Sequence, residues 1–87
     1  MVNERQIGMD MKNMLVDIFI GKNKMRVVAE LPGANEEDVA LDLYEDILSI
    51  SALGGKLAYY KDVELPRICK GIIGKIFTNG ILEITLN

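Results

Sequence analysis

Apolar residues along this 87-residue chain recur at every second position over short stretches, and turn-forming residues separate the stretches. Met25, Val27, Ala29 and Leu31 alternate with polar or charged neighbours such as Arg26 and Glu30, which puts four apolar side chains on one face of a strand. Val16, Ile18 and Ile20 do the same within residues 14–20. Between the two runs, Gly21-Lys22-Asn23-Lys24 is expected to close an antiparallel hairpin, because Gly and Asn tolerate positive φ. Pro32-Gly33 ends the second strand, since proline has no N–H for the ladder. Residues 35–38 predict one helical turn, capped by Asn35, with Glu36, Glu37 and Asp38 near its positive end. Residues 39–43 and 47–51 alternate again and are joined tightly through 44–46, as a second hairpin. Gly54-Gly55-Lys56 is a turn, and residues 59–65 form a strand closed by Pro66. Residues 72–77 and 81–86 complete the set, joined through Asn79-Gly80, a strong signal for a type I′ turn.

The pattern gives about seven short strands and no sustained helical period, with turn signals every 8–12 residues as in sandwiches. An all-β, two-sheet antiparallel sandwich is therefore expected over residues 14–87. Residues 1–13 read as a short polar arm. Its methionines, Met1, Met9 and Met11, together with Met14, either offer an adaptable apolar surface or belong to a frayed terminus.

Composition narrows the chemistry. An apolar share of 49% and a charged share of 26% describe a globular chain, and a net charge of −3 repels nucleic-acid phosphates overall. There is no histidine, which removes the commonest general base and metal ligand. Ser49 and Ser51 fall on the solvent face of a strand without a base to activate them. Cys69 is single, so no internal disulfide forms, and a reducing cytoplasmic location is expected. It reads as a packed loop thiol. Residues 69–76 lack the first glycine and the Ser/Thr of a nucleotide loop, and Glu36-Glu37-Asp38 lacks the oxygen spacing of a calcium loop. No apolar run is long enough for a membrane helix. No enzyme, cofactor, metal, nucleic acid, membrane or ATP is expected.

The order of the motifs carries a resemblance. Ala29-Glu30-Leu31-Pro32-Gly33, then Asn35-Glu36-Glu37-Asp38-Val39, the strand at 47–51, residues 60–66 ending in Leu65-Pro66, and Asn79-Gly80-Ile81-Leu82 follow one another in a single arrangement. It resembles the α-crystallin domain of small heat-shock proteins, from about residue 14 onward. Leu31, Pro32, Gly33, Asn79, Gly80 and Leu82 are the signature positions. The resemblance implies an immunoglobulin-like sandwich, a dimeric building block and a stress-response role as an ATP-independent holdase, a chaperone that keeps partly unfolded clients from aggregating. It further implies a client or partner groove between the strand at 39–43 and the strand at 72–77. Val39, Leu41, Leu43, Ile73 and Phe77 are its candidate residues, each of which can equally be a core position.

The chain departs from the family pattern in several places. Lys75 stands where the signature carries alanine, and a lysine on that inward parity implies a bulge or an edge. Lys61 replaces an arginine, losing its bidentate fork. Only residues 53–58 lie where microbial and plant members carry a long exchanged loop, and no I-x-I tail follows residue 87 of this sequence. A monomer or small dimer is expected, paired through the edge carrying Tyr59, Lys61 and Val63 or through residues 14–20. The alternative function is an adaptor sandwich, like a co-chaperone, that docks one folded partner.

Overall fold

The structure is a computed structural model and describes residues 10–87. Eight strands run in the order β1 (Asp10–Lys12), β2 (Leu15–Ile20), β3 (Met25–Glu30), β4 (Ala40–Tyr44), β5 (Ile47–Gly54), β6 (Leu57–Glu64), β7 (Ile72–Thr78) and β8 (Ile81–Leu86). A 3-10 turn, Glu36–Asp38, precedes β4. One sheet has the order β1-β6-β5-β4 and the other β2-β3-β8-β7. The expected sandwich is present, with two differences. An eighth strand, β1, lies in the segment read as an arm, and it pairs with β6 in parallel, Asp10 to Leu57 through Lys12 to Tyr59. Its Asp-Met-Lys sequence has no apolar alternation to announce it, because its place in the sheet is taken through backbone groups.

The alternating residues meet in the middle. Val27, Ala29 and Leu31 from one sheet, with Leu82, Ile84 and Leu86 beside them, face Leu48 and Ile50 of the other, and none has exposed surface. Each such Leu, Ile or Val contributes about 1.5–3 kcal/mol through burial. No polar or charged side chain among the described residues is buried. Met14 and Cys69 join this core from the β1–β2 and β6–β7 connections, two of the three that pass between the sheets. Met14 is therefore withdrawn from the surface proposed for the methionines, whereas Met11 is exposed; Met1 and Met9 lie outside the described residues.

The turns answer to their sequences with two corrections. Asn79 and Gly80 have φ of 52° and 79°, as a type I′ turn requires. The Gly21–Lys24 loop instead closes by a hydrogen bond from the Gly21 N–H to the Lys24 carbonyl (2.8 Å), with no positive φ in it. Asn35 does not cap the 3-10 turn with its side chain; its amide donates to the Asp38 carboxylate at 3.3 Å.

The crossing from β3 to β4 ties the sandwich together at one end. Leu31-Pro32-Gly33-Ala34 is a type II turn, with Gly33 at φ 85° and the Ala34 N–H donating to the Leu31 carbonyl at 3.0 Å. The Leu31 N–H donates to the Gly80 carbonyl (2.7 Å), and the Asn35 N–H to the Leu53 carbonyl (2.9 Å). The Tyr59 hydroxyl donates to the Pro32 carbonyl. Gly54 packs so close that a Cβ there would stand 1.9 Å from the Gly33 oxygen. Two signature segments almost fifty residues apart in sequence are thus one junction in space.

Candidate functional site

The two sheets leave two borders. β1 and β2 are separated by only Asn13 and Met14, so those edge strands lie side by side, and β4 and β7 face each other along the opposite border. On β4, Leu41 and Leu43 sit across from the fully buried Ile50 and Leu48, which fixes them on the inner face. Being on the last strand of the sheet, they are only half-buried, as is Val39 just before it. On β7, Phe77 stands opposite buried Leu82 and is likewise half-buried against the core. Four of the five expected groove residues therefore line one apolar seam.

Ile73 is the exception. The β7–β8 register passes from Ile72↔Leu86 to Gly74↔Thr85, so Ile73 is the extra residue of a bulge. Simple alternation counted back from Phe77 selects Ile73, but the inserted residue shifts the parity and places Ile72 opposite buried Leu86. Ile73 is 51% exposed. Ile76 points to the outer face, opposite Glu83, and is 61% exposed. Edge strand β7 thus presents Ile72, Ile73 and Ile76 to solvent beside the seam, a feature the sequence reading missed. The Ile-Ile-Gly-Lys-Ile run was its only signal. Lys75 lies on the inner parity, opposite buried Ile84, and reaches solvent because its strand is an edge.

The β6 edge differs from expectation. Tyr59 and Val63 are buried core residues, and β1 occupies the edge from Leu57 to Tyr59. Lys61, inward by parity opposite Ile50, extends along the edge and donates from Nζ to the Met14 carbonyl at 3.4 Å. The residues expected to form a free dimer edge are partly covered by the chain's own first strand. β2 remains an edge strand, with Leu15, Phe19 and Ile20 exposed. The Arg26 guanidinium lies 5.0 Å from the centre of the Phe19 ring, and its Nε is 3.4 Å from the Glu83 carboxylate.

The outer face of the β1-β6-β5-β4 sheet carries a polar network. Ser49 donates to Asp62 Oδ1 at 2.6 Å and Tyr60 donates to the same oxygen at 2.8 Å. These two donors, Ser49 first, hold the Asp62 carboxyl below its usual range, and the bond to Asp62 raises Tyr60. A carboxylate whose pKa is depressed accepts a proton less readily, which weakens it as a general base. Among the described residues, no three Asp, Glu or Cys side chains gather as a metal site, and no helix is long and apolar enough to cross a membrane.

No protein-family model matches the sequence, and none of the curated proteins matches it. Solved structures do match. Heat shock protein 16.0 from Schizosaccharomyces pombe superposes with a TM-score of 0.74 at 23% identity, over 87% of this chain and 66% of that one, so this chain spans just under two-thirds of its length. The hspA protein from Xanthomonas axonopodis gives 0.73 and 23%, over 86% of this chain and 92% of that one. A small heat-shock protein from Xylella fastidiosa gives 0.68 and 22%, over 84% and 83%. The sandwich built around the Leu31-Pro32-Gly33 junction and the Asn79-Gly80 turn has the α-crystallin-domain fold of small heat-shock proteins.

Proposed function

We propose that this chain is an ATP-independent holdase that captures partly unfolded proteins on the β4–β7 border. One observation carries the reading: an unpaired edge strand with Ile72, Ile73 and Ile76 exposed runs beside the half-buried seam of Val39, Leu41, Leu43 and Phe77. An open edge offers backbone hydrogen bonds to an extended segment, and the neighbouring apolar side chains hold alternate residues of it. Exposed apolar groups of this kind mark interaction surfaces. The protein works in the cytoplasm as a monomer or small dimer, with the β2 edge as its pairing surface. The test is light scattering by a heat-aggregating client, with the protein at near-stoichiometric ratio and no nucleotide. Suppression is expected, and an Ile73→Lys/Ile76→Lys variant that retains its fold should lose most of it. A protein that leaves client scattering unchanged would remove the proposal.

A second reading has its own support. The β5–β6 connection is only Gly55-Lys56, and β1 lies on the β6 edge, so the sandwich has fewer free edges than a self-assembling block would use. An adaptor docking one folded partner fits that economy. A pull-down dominated by one stoichiometric partner, with no protection of clients, selects it.

A further inference from the structure

The end of the sandwich opposite the Pro32 junction carries a cationic depression that the β4–β7 seam does not use. Lys22 and Asn23 come from the β2–β3 loop, Arg67, Ile68 and Lys70 from the β6–β7 connection, and Asn87 follows β8; together they line a depression of about 540 Å³. Two backbone hydrogen bonds build it. The Lys70 N–H donates to the Asn87 carbonyl (2.6 Å) and the Asn87 N–H to the Gly71 carbonyl (3.2 Å), which fastens the connection against the end of β8. Three cations therefore share a lining in which no side chain is acidic, on a chain whose net charge is −3. Among the described residues the ion pair present is Arg26–Glu83, and none involves Lys22, Arg67 or Lys70. Of the acids at this end, Asp46 and Glu64 line a separate depression with Leu65 and Pro66, and Glu45 beside Asp46 in the β4–β5 turn lines neither.

Ile68 decides what chemistry fits. It is 69% exposed in the midst of the three cations. A bare oxyanion would satisfy the charges and leave this side chain in water. A peptide with carboxylates on both sides of an apolar residue satisfies both. The Asn23 and Asn87 amides can also pair with its backbone. We infer that the Lys22–Arg67–Lys70 depression binds acidic peptide segments with an apolar centre, as a contact separate from the β4–β7 seam.

The experiment is fluorescence anisotropy with a short labelled peptide bearing glutamates on both sides of a leucine pair, and a control with lysines in their place. The glutamate peptide should bind, and the lysine peptide should not. Raising the salt should weaken binding, because exposed charges are screened beyond about 10 Å at 0.1 M. The triple variant Lys22→Glu/Arg67→Glu/Lys70→Glu should lose about tenfold or more in affinity, as expected when charge-assisted contacts reverse. The milder triple change to glutamine serves if reversal unfolds the chain, and circular dichroism checks folding in both. Ile68→Ser should weaken binding severalfold while leaving the salt dependence unchanged. Equal binding of the two peptides, or affinity unchanged in either triple variant, overturns the inference. So does displacement of the peptide by inorganic phosphate with Ile68→Ser neutral, which would mark a plain oxyanion site. Self-association abolished by the triple variant without peptide binding would overturn it too, by making a second copy the occupant. Peptide binding is read directly, so a failed holdase assay leaves this result standing.

Discussion

Replacing Gly54 by alanine tests the junction that joins the two sheets. The added Cβ would stand 1.9 Å from the Gly33 oxygen and 2.7 Å from both the Gly33 carbonyl carbon and the Ala34 Cα. All three are backbone atoms, so no side chain can swing aside. A carbon–oxygen contact is comfortable only near 3.3 Å or beyond, so the turn and β5 must part by about 1.4 Å. That displacement strains the Asn35–Leu53 backbone bond and the Tyr59–Pro32 bond. Overpacking costs about 1–3 kcal/mol and each of the two weakened hydrogen bonds about 1 kcal/mol, giving a loss of about 3–5 kcal/mol. A chain of this size has a total stability of about 4–13 kcal/mol, so the melting temperature should fall by about 12 °C or more. Two neighbours separate sterics from backbone conformation. Gly55 has φ 59° but open space around its Cβ position, so alanine there costs only about 1–2 kcal/mol of left-handed strain. Gly71 has neither constraint, and its alanine variant should match the parent within about 0.5 kcal/mol. Urea denaturation followed by circular dichroism measures all three. A Gly54→Ala protein as stable as Gly71→Ala would refute the argument.

Two further outcomes can be checked directly. Asp62 is held below the ordinary carboxylate range, so its contribution to stability is present at neutral pH. That contribution fades as the pH falls through its lowered value, and a carboxyl titration by NMR should place Asp62 below the ordinary aspartate value. In Asp62→Asn the Tyr60 phenol should titrate closer to its ordinary value, and an unmoved Tyr60 curve would contradict the network. Deleting residues 1–12 removes β1 and leaves Met14 for the core. The Leu57–Tyr59 edge is then free to pair with a second copy, and sedimentation should show more dimer than in the full chain; an unchanged mass distribution would dismiss that role for β1.

The sequence made legible whatever depended on a two-residue period or a turn with its own chemistry. Met25, Val27, Ala29 and Leu31 were read inward and are at most 1% exposed, because β3 is an interior strand with a neighbour on each side. Asn79-Gly80 was legible because few dipeptides accept two positive φ values. Edges were harder. Ile20 shares the parity of Val16 and Ile18, yet it is exposed, since β1 stops at Lys12 and leaves that end of β2 without a covering strand. The bulge at Ile73 inverted one groove assignment through a single inserted residue. The cover on the β6 edge escaped notice because backbone pairing by Asp10–Lys12 leaves no hydrophobic trace.

Lys61 and Lys75 occupy equivalent places on opposite borders: each points toward the interior by parity, from a strand at or near the rim of its sheet, across from an isoleucine with no exposed surface. Stacking identical molecules rim to rim into a dry fibril would strip water from both ammonium groups without supplying a counter-charge. A loose, unfolded strand makes no such demand, because it can bow around the cation and leave it hydrated. Each border thus disfavours a dry stack of sheets far more than it disfavours one extended segment laid along it.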